Sequence, residues 1–387
     1  MLILISAGEA SGEMYGAQLI EAVRRHAAGS RIEFFGVGGE GMRAVGCDTV
    51  VDAKDLSVVG ITEILSHLPK IYGLFHRLIK EAEQRKPDLA IVIDSPAFNW
   101  RLAREMKKRG VPTIYYVAPQ FWAWRQGRVR LLRDYIDKAL VIFPFEEKFY
   151  RDRGVDATFV GHPLAELPPP RITRDEFASQ VGLNPGKPWI TIMPGSRMKE
   201  VRMNLPAMLE AAAHLGDQYE FLIPIAPTLD RHWLESTLAG RKCFLVEGAL
   251  PALHHSRAGI IASGTATVEA ALMSTPFVMV YRVSRLTYVL GKSQVRVPHF
   301  AMVNLIAGEK VVPELIQDQF TAKNVAAELN KILSDGPDRD NMLQGFIKMK
   351  DKLRGSQIRH DATPHSTADR AAEIILSRSW KHASNEK

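Results

Sequence analysis

Several side chains in this sequence have the type and spacing to do chemistry together. Asp94 lies in Ile93-Asp94-Ser95-Pro96-Ala97-Phe98-Asn99, directly after an apolar run. A carboxylate there can take a proton as a general base, orient a sugar hydroxyl, or simply cap its own loop. Glu9, in Gly8-Glu9-Ala10-Ser11-Gly12-Glu13, and His162, in Gly161-His162-Pro163, are the other groups able to move a proton. A lone histidine is equally well explained as structural. Two stretches suit an anion. In Pro194-Gly195-Ser196-Arg197, the glycine opens a backbone amide and Arg197 offers a fork to phosphate. In Ser263-Gly264-Thr265-Ala266-Thr267, a glycine and hydroxyls sit where a helix begins, and Glu269 lies one turn deeper, where a carboxylate suits a ribose diol. Two anion sites in one half of a chain favour a diphosphate. The glycines at 8 and 12 lack dinucleotide-fingerprint spacing, and there is no P-loop. No acidic cluster suggests magnesium, so neither metal nor cofactor is expected.

The elements that must hold these residues alternate between strand and helix. Leu2–Ser6, Ile32–Val37, Leu89–Asp94, Thr113–Ala118, Ala139–Phe143 and Thr158–Val160 read as strands, most of them separated by helical segments. Leu164–Arg171, with Pro168–Pro170 in a row, reads as a semi-rigid linker. The pattern restarts with Trp189–Met193, Glu220–Ile225, Cys243–Val246, Gly259–Ala262 and Phe277–Tyr281. After Pro313 it is largely helical. This alternation predicts two α/β domains with parallel sheets, with ligands at the carboxyl ends of the strands.

Two cysteines in 387 residues imply no disulfide framework and fit a reducing compartment. No apolar run reaches the roughly 18 residues of a membrane-spanning helix. The net charge of +7 is concentrated: Arg101–Arg133 holds nine basic residues and one acidic, Glu105. This +8 window includes Phe121, Trp122 and Trp124. A basic, aromatic surface suits an anionic partner with an apolar part: a lipid head group, an anionic membrane or nucleic acid. Leu56–Lys80 is rich in bulky apolar residues and reads as a buried helix, with an interfacial helix as the alternative.

Taken in order, these motifs resemble the lipid-A-disaccharide synthase family, inverting glycosyltransferases of the GT-B class. The resemblance also rests on Trp122-Ala123-Trp124-Arg125-Gln126, Phe143-Pro144-Phe145-Glu146, Asn304-Leu305-Ile306-Ala307-Gly308 and Pro313-Glu314-Leu315, and spans nearly the whole chain. It implies an α/β GT-B fold of two Rossmann-like domains whose parallel sheets face across a cleft. Residues 1–165 would bind acceptor and lipid, residues 172–354 the UDP-sugar, and residues 355–387 would cross back to the first domain. The implied reaction joins UDP-2,3-diacylglucosamine to 2,3-diacylglucosamine 1-phosphate, giving a β-1,6-linked disaccharide and UDP. Carried onto this sequence, the resemblance implies catalytic roles for Asp94, Glu9 or His162, and substrate contacts from Ser11, Asn99, Trp124 and Arg125. UDP would meet Ser196, Arg197, Glu200, Gly264, Thr265, Thr267, Glu269 and Asn304. The implied setting is a peripheral protein on an anionic membrane surface, at the cytoplasmic face of the inner membrane, with no nucleic-acid partner; a homodimer is left open. Two departures stand out. Ala97 replaces the family's usual aspartate, its favoured base, so turnover is expected to be reduced unless Asp94 or another group serves. Glu13 replaces an aspartate and keeps its charge. Another UDP-sugar enzyme, such as a hexosamine epimerase, and a catalytically silent binder are the alternatives.

Overall fold

The computed structural model describes all residues except 28, 57–60, 167, 239, 285–287, 289–296, 355–365 and 378–387, and does not describe the side chains of residues 10 and 61–68. The chain forms two compact units, Met1–Glu166 with Leu353–Lys387, and Leu167–Lys352.

The first unit is built on seven parallel strands: β1 (Leu2–Ala7), β2 (Glu33–Gly38), β3 (Cys47–Asp52), β4 (Leu89–Ile93), β5 (Thr113–Tyr116), β6 (Lys138–Val141) and β7 (Ala157–Phe159). Their order is β3-β2-β1-β4-β5-β6-β7. The runs Leu-Ile-Leu-Ile and Leu-Ala-Ile-Val-Ile are apolar on both faces because helices cover both sides of a parallel sheet. The helices are α1 (Ala10–His26), α2 (Glu40–Ala44), α3 (Ile61–Arg85), α4 (Pro96–Lys108), α5 (Val129–Tyr135) and α6 (Pro144–Arg151). Edge strand β3 was not legible in the sequence: Asp48, Thr49 and Asp52 break its apolar run, and only Cys47, Val50 and Val51 are buried.

The second unit holds β8 (Trp189–Met193), β9 (Glu220–Pro224), β10 (Cys243–Val246), β11 (Ala258–Ala262), β12 (Phe277–Tyr281) and β13 (Glu314–Ile316), ordered β10-β9-β8-β11-β12-β13. Its helices are α7 (Arg174–Val181), α8 (Met198–Leu215), α9 (Arg231–Thr237), α10 (Ala249–His255), α11 (Ala266–Leu272), α12 (Met302–Ala307), α13 (Ala322–Leu333) and α14 (Pro337–Arg354). The three-residue strand β13 interrupts the region expected to be helical after Pro313.

Helix α15 (Thr367–Ser377) belongs to the first unit and packs on α1. Asp369 pairs with Arg25 at 2.7 Å and His26 at 3.1 Å. Burial opposes its charge, but hydrogen bonds from Ser366, Arg25 and His26 hold its carboxyl well below the usual range. Arg370 bonds the Val160 carbonyl at 2.6 Å and Glu166 at 3.1 Å. Of the apolar Leu56–Lys80 segment, residues 57–60 and the side chains of 61–68 lie outside the described residues. Its later part packs on the sheet through Leu78 and Ile79, while Tyr72 stays 66% exposed. Among the described residues, no helix is long and apolar enough to cross a membrane.

Candidate active site

Each sheet has one point where the strand order reverses: between β1 and β4 in the first unit, and between β8 and β11 in the second. In open α/β sheets, ligands bind outside the carboxyl ends of the strands at such a point. The four loops leaving these strands, with the first turns of the helices they enter, carry most of the residues expected from sequence. The helices they enter, α1, α4, α8 and α11, all start without a side-chain cap; at α4 and α11 backbone carbonyls of the preceding turn take up amides of the first turn, those of Phe98, Thr267 and Val268.

In the first unit the loops after β1 and β4 touch. A Cβ on Gly8 would stand 2.7 Å from Ser95 Oγ and push that hydroxyl aside. The second loop is strained: Asp94 has φ +46° and Ser95 φ +44°, a region that non-glycine residues rarely occupy. Asn99 fixes that shape. Its side-chain amide donates to the carbonyls of Ile93 at 2.9 Å and Asp94 at 2.7 Å, and its oxygen accepts from Ser6 Oγ at 2.8 Å. Tyr115 Oη adds a 2.6 Å bond to the Asp94 carbonyl. Asn99 is fully buried, so it positions the loop and is not the substrate contact expected from sequence. The part-buried Asp94 carboxyl is pushed up to about 6, first by burial and then by the charge of Glu9. Glu9 and Ser11 are exposed beside it, and Ala97 is exposed in the first turn of α4. Glu13 accepts from the Gly41 amide at 2.7 Å, fastening the start of α2 to α1.

The stretch Trp122–Gln126 divides into two roles. Phe121 and Trp122 are buried, so they are not part of an aromatic surface, whereas Trp124 is 49% exposed with the Arg125 guanidinium 4.3 Å from its ring centre. Trp122 Nε1 donates to Glu146 at 2.8 Å, and the other oxygen of that carboxylate accepts from the Ile142 and Phe143 amides at 3.2 and 3.0 Å. Glu146 is fully buried, which pushes its carboxyl up to about 7 despite these three donors. Glu146→Ala is expected to cost about 1–3 kcal/mol by leaving buried donors unpaired. A urea titration followed by tryptophan fluorescence reads that loss, and unchanged stability would deny Glu146 this role.

His162 does not fit a proton-transfer role. It is 1% exposed, its Nδ1 accepts from the Leu164 amide at 3.1 Å, and its ring rests on Phe143. Burial pushes its pKa down to about 4, so it stays neutral.

In the second unit, Gly195 has φ +125°, and a Cβ there would meet the Glu200 carboxylate at 2.8 Å. Ser196 follows, its carbonyl accepting from Thr228 Oγ1. Arg197 pairs with Glu200 at 3.0 Å, but its side chain is 79% exposed. On the adjacent loop nothing lies within 4 Å of a Cβ built on Gly264, and Thr265 is exposed. Thr267 is buried, its hydroxyl bonded to the Gly264 carbonyl at 2.7 Å, so it shapes the turn instead of presenting a donor. Glu269 is half-buried and burial raises its pKa. Asn304 is fully buried and all its bonds go to the chain: Val312 O and Glu314 Oε1, both at 2.9 Å, and the Val311 and Val312 amides at 2.8 and 2.9 Å. Glu314 in turn accepts from the Phe300 and Ala301 amides, and Ser263 Oγ donates to the Phe300 carbonyl at 2.9 Å. Asn304 thus braces the segment beside the Gly264 loop and is not itself an exposed ligand contact. The parts played by Glu314 and Tyr115 were not foreseen from sequence, because neither spacing nor residue type marks a side chain that bonds backbone from a neighbouring strand.

A family model described as lipid-A-disaccharide synthetase matches residues 3–366. A lipid-A-disaccharide synthase of Koribacter versatilis is 51% identical over 379 residues, covering 97% of this chain and 98% of its own. Among solved structures, a UDP-GlcNAc 2-epimerase from Neisseria meningitidis bound to UDP-GlcNAc has a TM-score of 0.65 at 12% identity, covering 98% of this chain and 100% of its own. The glycosyltransferase of kitacinnamycin has a TM-score of 0.61 at 14% identity, covering 97% and 98%. The structural likenesses speak for the fold, which is GT-B; the sequence matches go further, and by them the chain belongs to the lipid-A-disaccharide synthase family.

Proposed function

We propose that this protein condenses UDP-2,3-diacylglucosamine with 2,3-diacylglucosamine 1-phosphate. The observation that carries the reading is the family match from residue 3 to residue 366. In the proposed step the 6-hydroxyl oxygen of the acceptor attacks the anomeric carbon of the donor from the face opposite UDP. The new C–O bond forms as the bond to the diphosphate oxygen breaks, and the electron pair leaves with UDP. The hydroxyl proton passes to Asp94, whose carboxyl near pH 6 suits a base working at neutral pH. The charge developing on the departing diphosphate is met by Arg197 and the backbone amides at the uncapped start of α8. Glu269 takes the ribose hydroxyls.

The test is UDP release from both acylated sugars, with the disaccharide identified by mass. UDP-N-acetylglucosamine consumed without an acceptor would mark an epimerase, and binding of both sugars without UDP release a silent binder. Activity is expected to persist in EDTA.

The protein is further proposed to work as a peripheral protein at the cytoplasmic face of the inner membrane, where its acylated substrates would be held. Within the +8 window, Lys107, Lys108, Arg109 and Arg133 have carboxylate partners. Arg104, Arg125, Arg128 and Arg130 have none among the described residues and are exposed. Each basic side chain near an anionic surface contributes about 1 kcal/mol, screened by salt. Flotation with anionic vesicles is expected to fall at high ionic strength and with Arg128→Glu/Arg130→Glu. Equal binding to neutral and anionic vesicles at every salt level would exclude this anchor.

A further inference from the structure

We infer that Arg101 recognises the phosphate of the acceptor and so sets the enzyme's preference for a phosphorylated sugar; this rests on the reading given above. Arg101 lies in the second turn of α4, the helix that starts at the strained Asp94 loop. Its Nη1 donates back to the carbonyl of Ala97, which brings the guanidinium to the first turn of that helix. The Trp100 ring holds it from the side, 4.6 Å from ring centre to guanidinium carbon. That indole is itself seated, since Trp100 lines a small apolar cavity with Pro96, Tyr115 and Phe121.

Neither Arg101 nor Arg104 reaches a carboxylate among the described residues, and both are exposed, whereas Lys107, Lys108 and Arg109 at the far end of the helix each reach one. The side chain at position 97 cannot supply one, because alanine sits one turn before it on the same face. A guanidinium carries five N–H donors in a planar fork, and only one is committed here. The fork is therefore oriented, partly desolvated on one side by the indole, and open to an oxyanion on the other. Arg104, three residues on, is exposed on the same side and adds positive potential. By turning back to the Ala97 carbonyl, the fork moves toward the Asp94 end of the helix. A hexosamine with its 6-hydroxyl at Asp94 would reach Arg101 with a phosphate on its anomeric carbon.

The ligand chemistry is a phosphomonoester, available either from the soluble end of the acceptor or from a membrane head group; the position beside Asp94 favours the acceptor. The test compares wild type, Arg101→Gln and Arg101→Lys in the full chain. Substrates are 2,3-diacylglucosamine 1-phosphate and the same sugar without phosphate, dispersed in detergent. Arg101→Gln is expected to raise KM for the phosphorylated acceptor by about 10- to 100-fold, the loss of a charge-assisted contact, with kcat and the donor KM little changed. The dephosphorylated acceptor should show the same KM in wild type and variant, and Arg101→Lys should recover part of the difference. An equal KM for the phosphorylated acceptor in wild type and Arg101→Gln overturns the assignment. So does an equal loss with both acceptors, which would make the residue structural. Weaker binding of Arg101→Gln to anionic vesicles, with unchanged acceptor preference, assigns the arginine to the membrane instead and also overturns it. Calorimetric titration with 2,3-diacylglucosamine 1-phosphate alone keeps the test separate from the reaction. If wild type releases no UDP, the proposed function fails, while a wild-type affinity lost in Arg101→Gln still supports the phosphate contact.

Discussion

Asp94→Asn is expected to lower turnover by about 10²–10⁴-fold, the usual worth of general-base catalysis, while UDP binding persists. The substitution removes the proton acceptor but keeps the shape: Asn99 and Tyr115 bond the Asp94 carbonyl, and an asparagine oxygen can still accept the Ser95 amide that now bonds the carboxyl. Folding should not suffer. The folded-state pKa lies above the unfolded one, so the protonated form is favoured by folding; the stability this contributes is present at low pH and lost as pH rises through about 6. Asn, which is always neutral, should therefore leave the melting temperature at pH 8 unchanged or raised. A base must be deprotonated, so kcat/KM should rise with pH through an acid limb near 6. Glu9→Gln removes the charge that helps raise Asp94 and should move that limb to lower pH. Ala97→Asp separates the two accounts of this site. With Asp94 as base it changes little. A gain of two or more orders of magnitude would instead mean that position 97 holds the working base in relatives and that this chain is a slowed form. Vigorous turnover surviving Asp94→Asn would remove Asp94 from the mechanism.

The fold was legible because buried parallel strands are written as unbroken apolar runs. Leu89–Ile93 and Ala258–Ala262 could hardly be missed. Edge strands β3 and β13 were missed because polar residues interrupt the one and the other has three residues. The loops at the sheet reversals were legible too, since glycine and hydroxyl residues stand directly after strands there. What the sequence did not separate is contact from support. Asn99, Thr267 and Asn304 share motifs with exposed residues, yet each is buried and spends its side chain on groups of the chain itself. A motif marks both the side chain that meets a ligand and the one that holds the loop still, and only burial tells them apart. The same holds for Trp122 and Trp124, two residues apart, where one is clamped by Glu146 and the other faces out.

Arg197→Ala is expected to weaken UDP binding by about 10- to 100-fold, equivalent to ~1.5–3 kcal/mol for a charge-assisted contact with a diphosphate. The side chain already stands at the start of an 18-residue helix whose first amides no side chain caps, so an anion held there meets both the guanidinium and the positive end of the helix. Its present partner is Glu200, three residues on, at 3.0 Å. With Arg197 79% exposed, that pair is worth little, about 0–1 kcal/mol, and a doubly charged phosphate can replace it. Glu200 then matters in two opposing ways: it holds Arg197 at the loop, and it places a negative charge near the incoming diphosphate. Glu200→Gln removes the repulsion and keeps a hydrogen-bonding partner for Arg197, so it should bind UDP as well as wild type or better. Uridine, which lacks the phosphates, should bind wild type and Arg197→Ala equally, because Glu269 and the Gly264 loop are untouched by the change. Calorimetric titration with UDP and with uridine reads wild type and both variants. Unchanged UDP affinity in Arg197→Ala would take this arginine out of the site, and an equal loss for uridine would mean that the substitution had disturbed the loop and not a phosphate contact.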